Sequence, residues 1–140
     1  MKKLLTILLA SLLCLCCVGM VACKDEPKAD TYKVYQVVAD GTTYNIGDTV
    51  PEYTIGYEAV TLTEGYMILK LFDNGKAESE TGGEKSTVSM TWSQTGNVIT
   101  VVSTYEDEGE SHTSTTEMTV DGEFLTMYMG PNTTLIMKKA

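Results

Sequence analysis

Apolar and polar residues alternate along most of this chain with a period of two. Met67, Leu69 and Leu71 fall on one side of segment 65–72 and Lys70 on the other. Val88, Met90 and Trp92 share a side in 86–94, Leu125, Met127 and Met129 in 123–129, and Leu135 and Met137 in 134–139. Successive strand side chains point to opposite faces, so the pattern is that of a sheet with one face in a core and one in water. Thr, Tyr, Val and Ile, which suit a pleated surface, are abundant, and no segment beyond residue 31 sustains a helical apolar repeat.

Turn signals punctuate the alternation every ~8–12 residues, the spacing of sandwiches and barrels. They are "FDNGK" (72–76), "TGG" (81–83), "QTGN" (94–97), "EDEGE" (106–110), "DGE" (121–123) and "GPN" (130–132). Asn74-Gly75 is expected to form a type I′ hairpin turn. Strands are predicted at about 32–39, 65–72, 76–81, 86–94, 97–105, 111–120, 123–129 and 134–139. Short turns join them in up-and-down order, except for a long link at 40–65. The predicted fold is all-β, an antiparallel up-and-down barrel of about eight strands, in which closure removes the exposed edges.

The N-terminus follows a different pattern. Behind Met1-Lys2-Lys3, the run Leu4 to Ala22 is apolar except for Thr6 and Ser11, as in a secretory signal helix. It also reaches the ~18 residues at which a spanning helix becomes a candidate, but it ends in a distinctive way. All four cysteines lie between Cys14 and Cys23, and "MVAC" (Met20 to Cys23) runs directly into "KDEPKADT". MVAC resembles the lipobox of bacterial lipoproteins, with an apolar residue three before the cysteine and small or aliphatic residues directly before it. The resemblance implies that Cys23 carries a diacylglycerol thioether, with palmitate-like chains, and becomes the mature N-terminus. Several acyl chains hold a protein on a bilayer where one binds only marginally.

The expected organisation is a lipoprotein signal peptide at 1–22, a lipidated polar tether at 23–31 and a barrel domain at 32–140. The expected location is exported and lipid-anchored, at the bacterial cell membrane or cell surface, with the membrane as partner. No cysteine follows position 23, so the mature chain has no internal disulfide or thiolate metal site.

Charge narrows the partners. The chain has ten lysines, no arginine and nineteen acidic residues, for a formal charge of −9. Lys2 and Lys3 belong to the leader, so the balance beyond Cys23 is −11. Such a surface repels phosphate backbones, which argues against nucleic-acid binding.

The strand-and-turn grammar resembles the small lipocalin-like domains of bacterial lipoproteins. Trp92 followed by "GNVIT" (96–100), "DG" (121–122) leading to "FLT" (124–126), the closing "LIMKKA" and the early "VYQVVADGTTYNI" carry the resemblance. The Gly-x-Trp signature of classical lipocalins is missing; that region reads "TYKVYQV", with Tyr35 the nearest aromatic. The resemblance implies a barrel whose long link lids the mouth.

Within that link, Tyr44, Tyr53 and Tyr57 are candidate contacts for a small apolar or amphipathic ligand, combining apolar faces with hydroxyl handles. Local packing, or a further strand near 57–63, would explain them equally. Trp92, on the apolar side of its strand, is read first as a core anchor and also kept as a candidate contact.

No catalytic constellation is found: His112 is the sole histidine, and no nucleophile elbow, phosphate loop or dinucleotide fingerprint occurs. The acidic "EDEGE" lacks the ligand spacing of a calcium loop and reads as a solvated turn. Methionines 67, 90, 118, 127, 129 and 137 would suit Cu(I). Alternation places them inside, however, where methionine commonly fills gaps, so they are assigned to the core. No enzyme activity, metal or cofactor is expected. Two roles remain: a binding module, or a filled barrel acting as a structural or interaction protein through its acidic surface.

Overall fold

The computed structural model describes residues 26–140; the signal segment and Cys23 lie outside the described residues. Twelve strands form: β1 (Ala29–Ala39), β2 (Thr42–Asn45), β3 (Thr49–Val50), β4 (Val60–Thr61), β5 (Met67–Phe72), β6 (Lys76–Thr81), β7 (Glu84–Lys85), β8 (Ser89–Thr95), β9 (Val98–Asp107), β10 (Glu110–Asp121), β11 (Phe124–Gly130) and β12 (Thr133–Lys139). Eight of them run antiparallel in the order β12-β11-β10-β9-β8-β6-β5-β1, and β1 pairs back onto β12, closing a barrel. These are the eight strands that the alternation predicts. Pairing begins at Ala29, inside the segment read as tether.

The interior is apolar throughout. Tyr32, Val34, Val37, Leu69, Leu71, Ile99, Val101, Met118, Leu125, Leu135 and Met137 are all buried, and among the described residues no polar side chain is. Two bulges depart from strict alternation. In β1, Val34 pairs with Met137 and Gln36 with Ile136, so Tyr35 is the extra residue. Its side chain turns outward, 5.3 Å from the Phe124 ring, with the Lys138 ammonium 5.8 Å from both ring centres. The slip lets Val34 and Val37, three apart, both face inward. In β11 the register shifts between Tyr128 and Gly130, which leaves Met129 38% exposed. The expected interior position of Met129 is thereby corrected: a bulge inserts one residue and breaks the period of two.

Turn chemistry brings another correction. Asn74 does not take positive φ; only Gly75 does, at 83°. The Gly75 amide bonds to the Phe72 carbonyl at 3.0 Å, while the Asn74 side chain accepts from the Lys76 amide. That is a three-residue connection with glycine in the left-handed position rather than type I′. Paired positive φ occurs instead at Asp40-Gly41 (49° and 79°), Gly82-Gly83 (61° and 85°) and Glu108-Gly109 (49° and 83°). These are two-residue hairpins whose twist matches their strands.

The long link is part of the wall. Along one edge, β1 pairs with β5 through Ala29–Lys33 and with β2 through Gln36–Ala39. Beyond Lys33, β5 no longer pairs with β1, and the link packs against the core there. The β3–β4 pair buries Val50, Leu62 follows β4 into the core, and Ile55 and Tyr66 pack against it. The Gly47 amide bonds to the Leu62 carbonyl and the Leu62 amide to the Asp48 carbonyl, which fixes this insertion.

Where β1 meets β12, Lys139 makes a 2.8 Å ion pair with Asp30, and this hydrogen-bonded partner raises the lysine pKa above its ordinary 10.5. A raised lysine pKa adds stability at low and neutral pH that is lost only as pH climbs through the raised value. We therefore expect Asp30→Asn to remove a small alkaline component of the unfolding profile and to leave the neutral region flat, as a denaturation series across pH will check.

Candidate functional site

The two ends of the barrel are built differently. The turns at 73–75, 96–97 and 122–123 close one end, and Trp92 seals it. The Trp92 indole donates a 2.7 Å hydrogen bond to the Phe72 carbonyl, and its backbone amide bonds to the Gly75 carbonyl. A groove of about 200 Å³ lies there, lined by Lys28–Asp30, Leu71, Asp73 and Trp92.

Toward the other end, which carries the Glu108-Gly109 turn, the interior does not fill. A cavity of about 180 Å³ opens there, and Met67, Met90, Met118, Met127 and Met137 all line it. Those are five of the six methionines beyond Cys23; Met129, at its bulge, is the sixth. Leu69, Ile68 and Val101 complete the apolar lining, and elsewhere in the core leucines stand at positions 62, 71, 125 and 135.

The register explains the convergence. Met118 stands directly opposite Met127 across β10 and β11, and Met127 in turn faces Leu135. Met137 is two residues beyond Leu135, hence diagonal to Met127 and within reach of a long side chain. Met90 lies opposite Ala77 on one side and Ser103 on the other, and Met67 opposite Thr81. Small neighbours leave the thioethers room. Met118 and Met137 form the buried floor, while Met67, Met90 and Met127 are half-buried walls. The Ser79 hydroxyl sits 3.9 Å from the Met90 sulfur. With Thr81, Ser103 and Thr116 it supplies the only polar groups of the lining, and none of these titrates.

The wall beside this cavity is incomplete in two places. The β6–β8 ladder consists of Lys76 with Thr91 and Ala77 with Met90. The β10–β11 ladder stops at Met118 and Met127, so the β9–β10 ribbon continues past the barrel toward its acidic tip. On that ribbon His112 pairs with Tyr105, the rings stacked at 5.4 Å.

None of the four residues singled out from sequence as ligand contacts lines the methionine cavity. Tyr44 is half-buried against the core from β2, and Trp92 belongs to the closed end. Tyr53 and Tyr57 are 77% and 88% exposed. Tyr53 holds a left-handed backbone, φ 62°, with its amide bonded to the Gly56 carbonyl. That conformation costs a non-glycine residue roughly 1–2 kcal/mol. Tyr53→Gly is therefore expected to match or exceed the parent in stability, and Tyr57→Ala to stay within about 0.5 kcal/mol of it in urea denaturation.

Sequence reasoning placed the methionines on inward faces but missed the space between them. The available signal was the clustering of methionine near one set of strand ends, at 67, 90 and 127, while leucine, valine and isoleucine occupied most other inward positions. The chain matches no protein-family model, no curated protein and no solved structure.

Proposed function

We propose that this chain is an exported lipoprotein, held on a membrane through Cys23, whose barrel binds a small uncharged apolar ligand in the methionine-lined cavity. The supporting observation is the cavity itself: about 180 Å³, apolar-walled and open at one end. An engineered apolar cavity of ~150 Å³ accepts benzene, whereas drug-sized molecules occupy ~300–1,000 Å³. The ligand is therefore of single-ring or short-chain size, with flexible thioethers allowing some adjustment of shape. Among the described residues no buried charge is present to receive an anionic group, and the net charge of −11 beyond Cys23 repels anions.

Native mass spectrometry of the protein extracted from its own host tests both parts. A reproducible small adduct, with acyl mass on Cys23, is the expected result. An N-terminus elsewhere would overturn the anchor, and repeated absence of an adduct would overturn the ligand. Ser103→Phe, which puts a ring into the cavity mouth, is expected to abolish binding of the neutral single-ring probe toluene, followed by the NMR shifts of the lining methionine methyls, without lowering Tm.

A second role draws on the β9–β10 ribbon, which projects with Glu106, Asp107, Glu108 and Glu110 around its turn. It would suit a module that meets a cationic protein partner, and would need no cavity at all.

A further inference from the structure

Leucine would line an apolar pocket as well as methionine does, and the described core away from this cavity holds Leu62, Leu71, Leu125 and Leu135 but no methionine. What distinguishes the cavity is sulfur. We propose that the five thioethers of Met67, Met90, Met118, Met127 and Met137 form a binding site for a soft monovalent cation, Cu(I) in particular. The proposal uses the same cavity as the ligand-binding function and goes beyond it by naming the sulfur atoms as donors.

Three observations carry it. The thioethers are gathered from five strands, β5, β8, β10, β11 and β12, into one space of about 180 Å³. Met118 opposite Met127, with Met137 diagonal to them, provides a donor group on three adjacent strands, with Met67 and Met90 on the walls. Finally, the lining contains no carboxylate, imidazole or thiolate, and among the described residues no group of three or more His, Cys, Asp or Glu is placed to hold a metal. Hard and borderline cations such as calcium, magnesium and zinc are thus without their usual donors, whereas thioethers select Cu(I). The side chains are flexible enough to converge on an ion from a lining that is only half-buried on one side.

Thioethers carry no proton. Binding therefore releases none, and the affinity is independent of pH across the range where histidine titrates, about pH 5 to 8. His112, stacked on Tyr105 on the ribbon and not part of the lining, takes no part.

The test uses the full-length chain in detergent, its thiols blocked with N-ethylmaleimide so that no cysteine competes. Cu(I), kept reduced with ascorbate and buffered by bicinchoninate, is expected to bind with sub-micromolar affinity, unchanged between about pH 5 and pH 8. The paired replacement Met118→Leu with Met127→Leu conserves volume and is expected to keep the fold. It should weaken Cu(I) roughly tenfold or more, since soft donors are lost. Met129→Leu and His112→Ala should leave the affinity as it was.

With methyl-labelled methionine, Ag(I) should move the signals of the five lining residues and spare Met129. If the paired variant melts early, Met90→Leu alone replaces it in the titration. Absence of sub-micromolar binding, an affinity that falls with protonation of a histidine, or equal binding by the leucine variants would overturn the site. Binding of toluene by the leucine variants is read separately. Retained probe binding with lost Cu(I) supports both proposals, and lost probe binding in the parent chain counts against the apolar ligand alone.

Discussion

Leu62→Ala is expected to destabilise the domain by about 2–5 kcal/mol, as much as a substitution in the middle of a barrel strand. Leu62 lies in the 46–66 link, which by sequence looks like a surface connection, yet its side chain is fully buried. Removing it opens a hole between β1, β2 and β5, where the ladder has already ended at Lys33 and Ile68. The neighbouring backbone cannot collapse inward freely, because the amides of Gly47 and Leu62 are committed to hydrogen bonds. A fall in Tm of the order of 10–20 °C is the corresponding thermal readout. If the variant melted within a few degrees of the parent, the link would be a lid and not a wall. Tyr57→Ala, in the same link but almost wholly exposed, is the internal control.

Trp92→Ala should cost about 3 kcal/mol, the lower part of the range for buried aromatics because the ring is only half-buried. Two contributions combine here. One is apolar contact between the ring and the core around Leu71; the other is the indole bond to the Phe72 carbonyl. Trp92→Phe separates them, since it retains most of the ring area and loses the donor. A loss of about 1 kcal/mol is expected, as for an ordinary hydrogen bond. Neither change should reduce probe binding at the methionine cavity once the protein is folded, because Trp92 belongs to the opposite end. Loss of probe binding by folded Trp92→Phe would show that the two ends communicate.

The strands were legible because a closed barrel keeps one face of every strand in a single interior, so the period of two survives from Tyr32 to Met137. It fails where the backbone inserts a residue. Tyr35 and Met129 occupy bulges set by their pairing with β12, the far end of the chain for Tyr35 and the next strand for Met129. The alternation within either strand does not announce the slip. The link was harder to read for a related reason: Val50 sits in a two-residue strand and Leu62 just after another, both too brief to alternate. The tyrosines 53 and 57 drew notice through their chemistry, yet aromatic rings in a polar connection are not constrained to face a ligand. The cavity depended on volume, which alternation does not encode. Inward direction can be deduced from Met67, Met90 and Met127 one strand at a time; the gap among them exists only after closure.

That closure has a consequence for when the chain can finish folding. The seam aligns Tyr32 with Lys139 and Ala39 with Thr133, so the first barrel strand remains without one flank until the twelfth has arrived. Contacts this far apart along the chain form late and slowly. A polypeptide emerging residue by residue would thus keep an open flank on its first strand until its last seven strand residues appear, so the barrel shuts only when synthesis is all but complete.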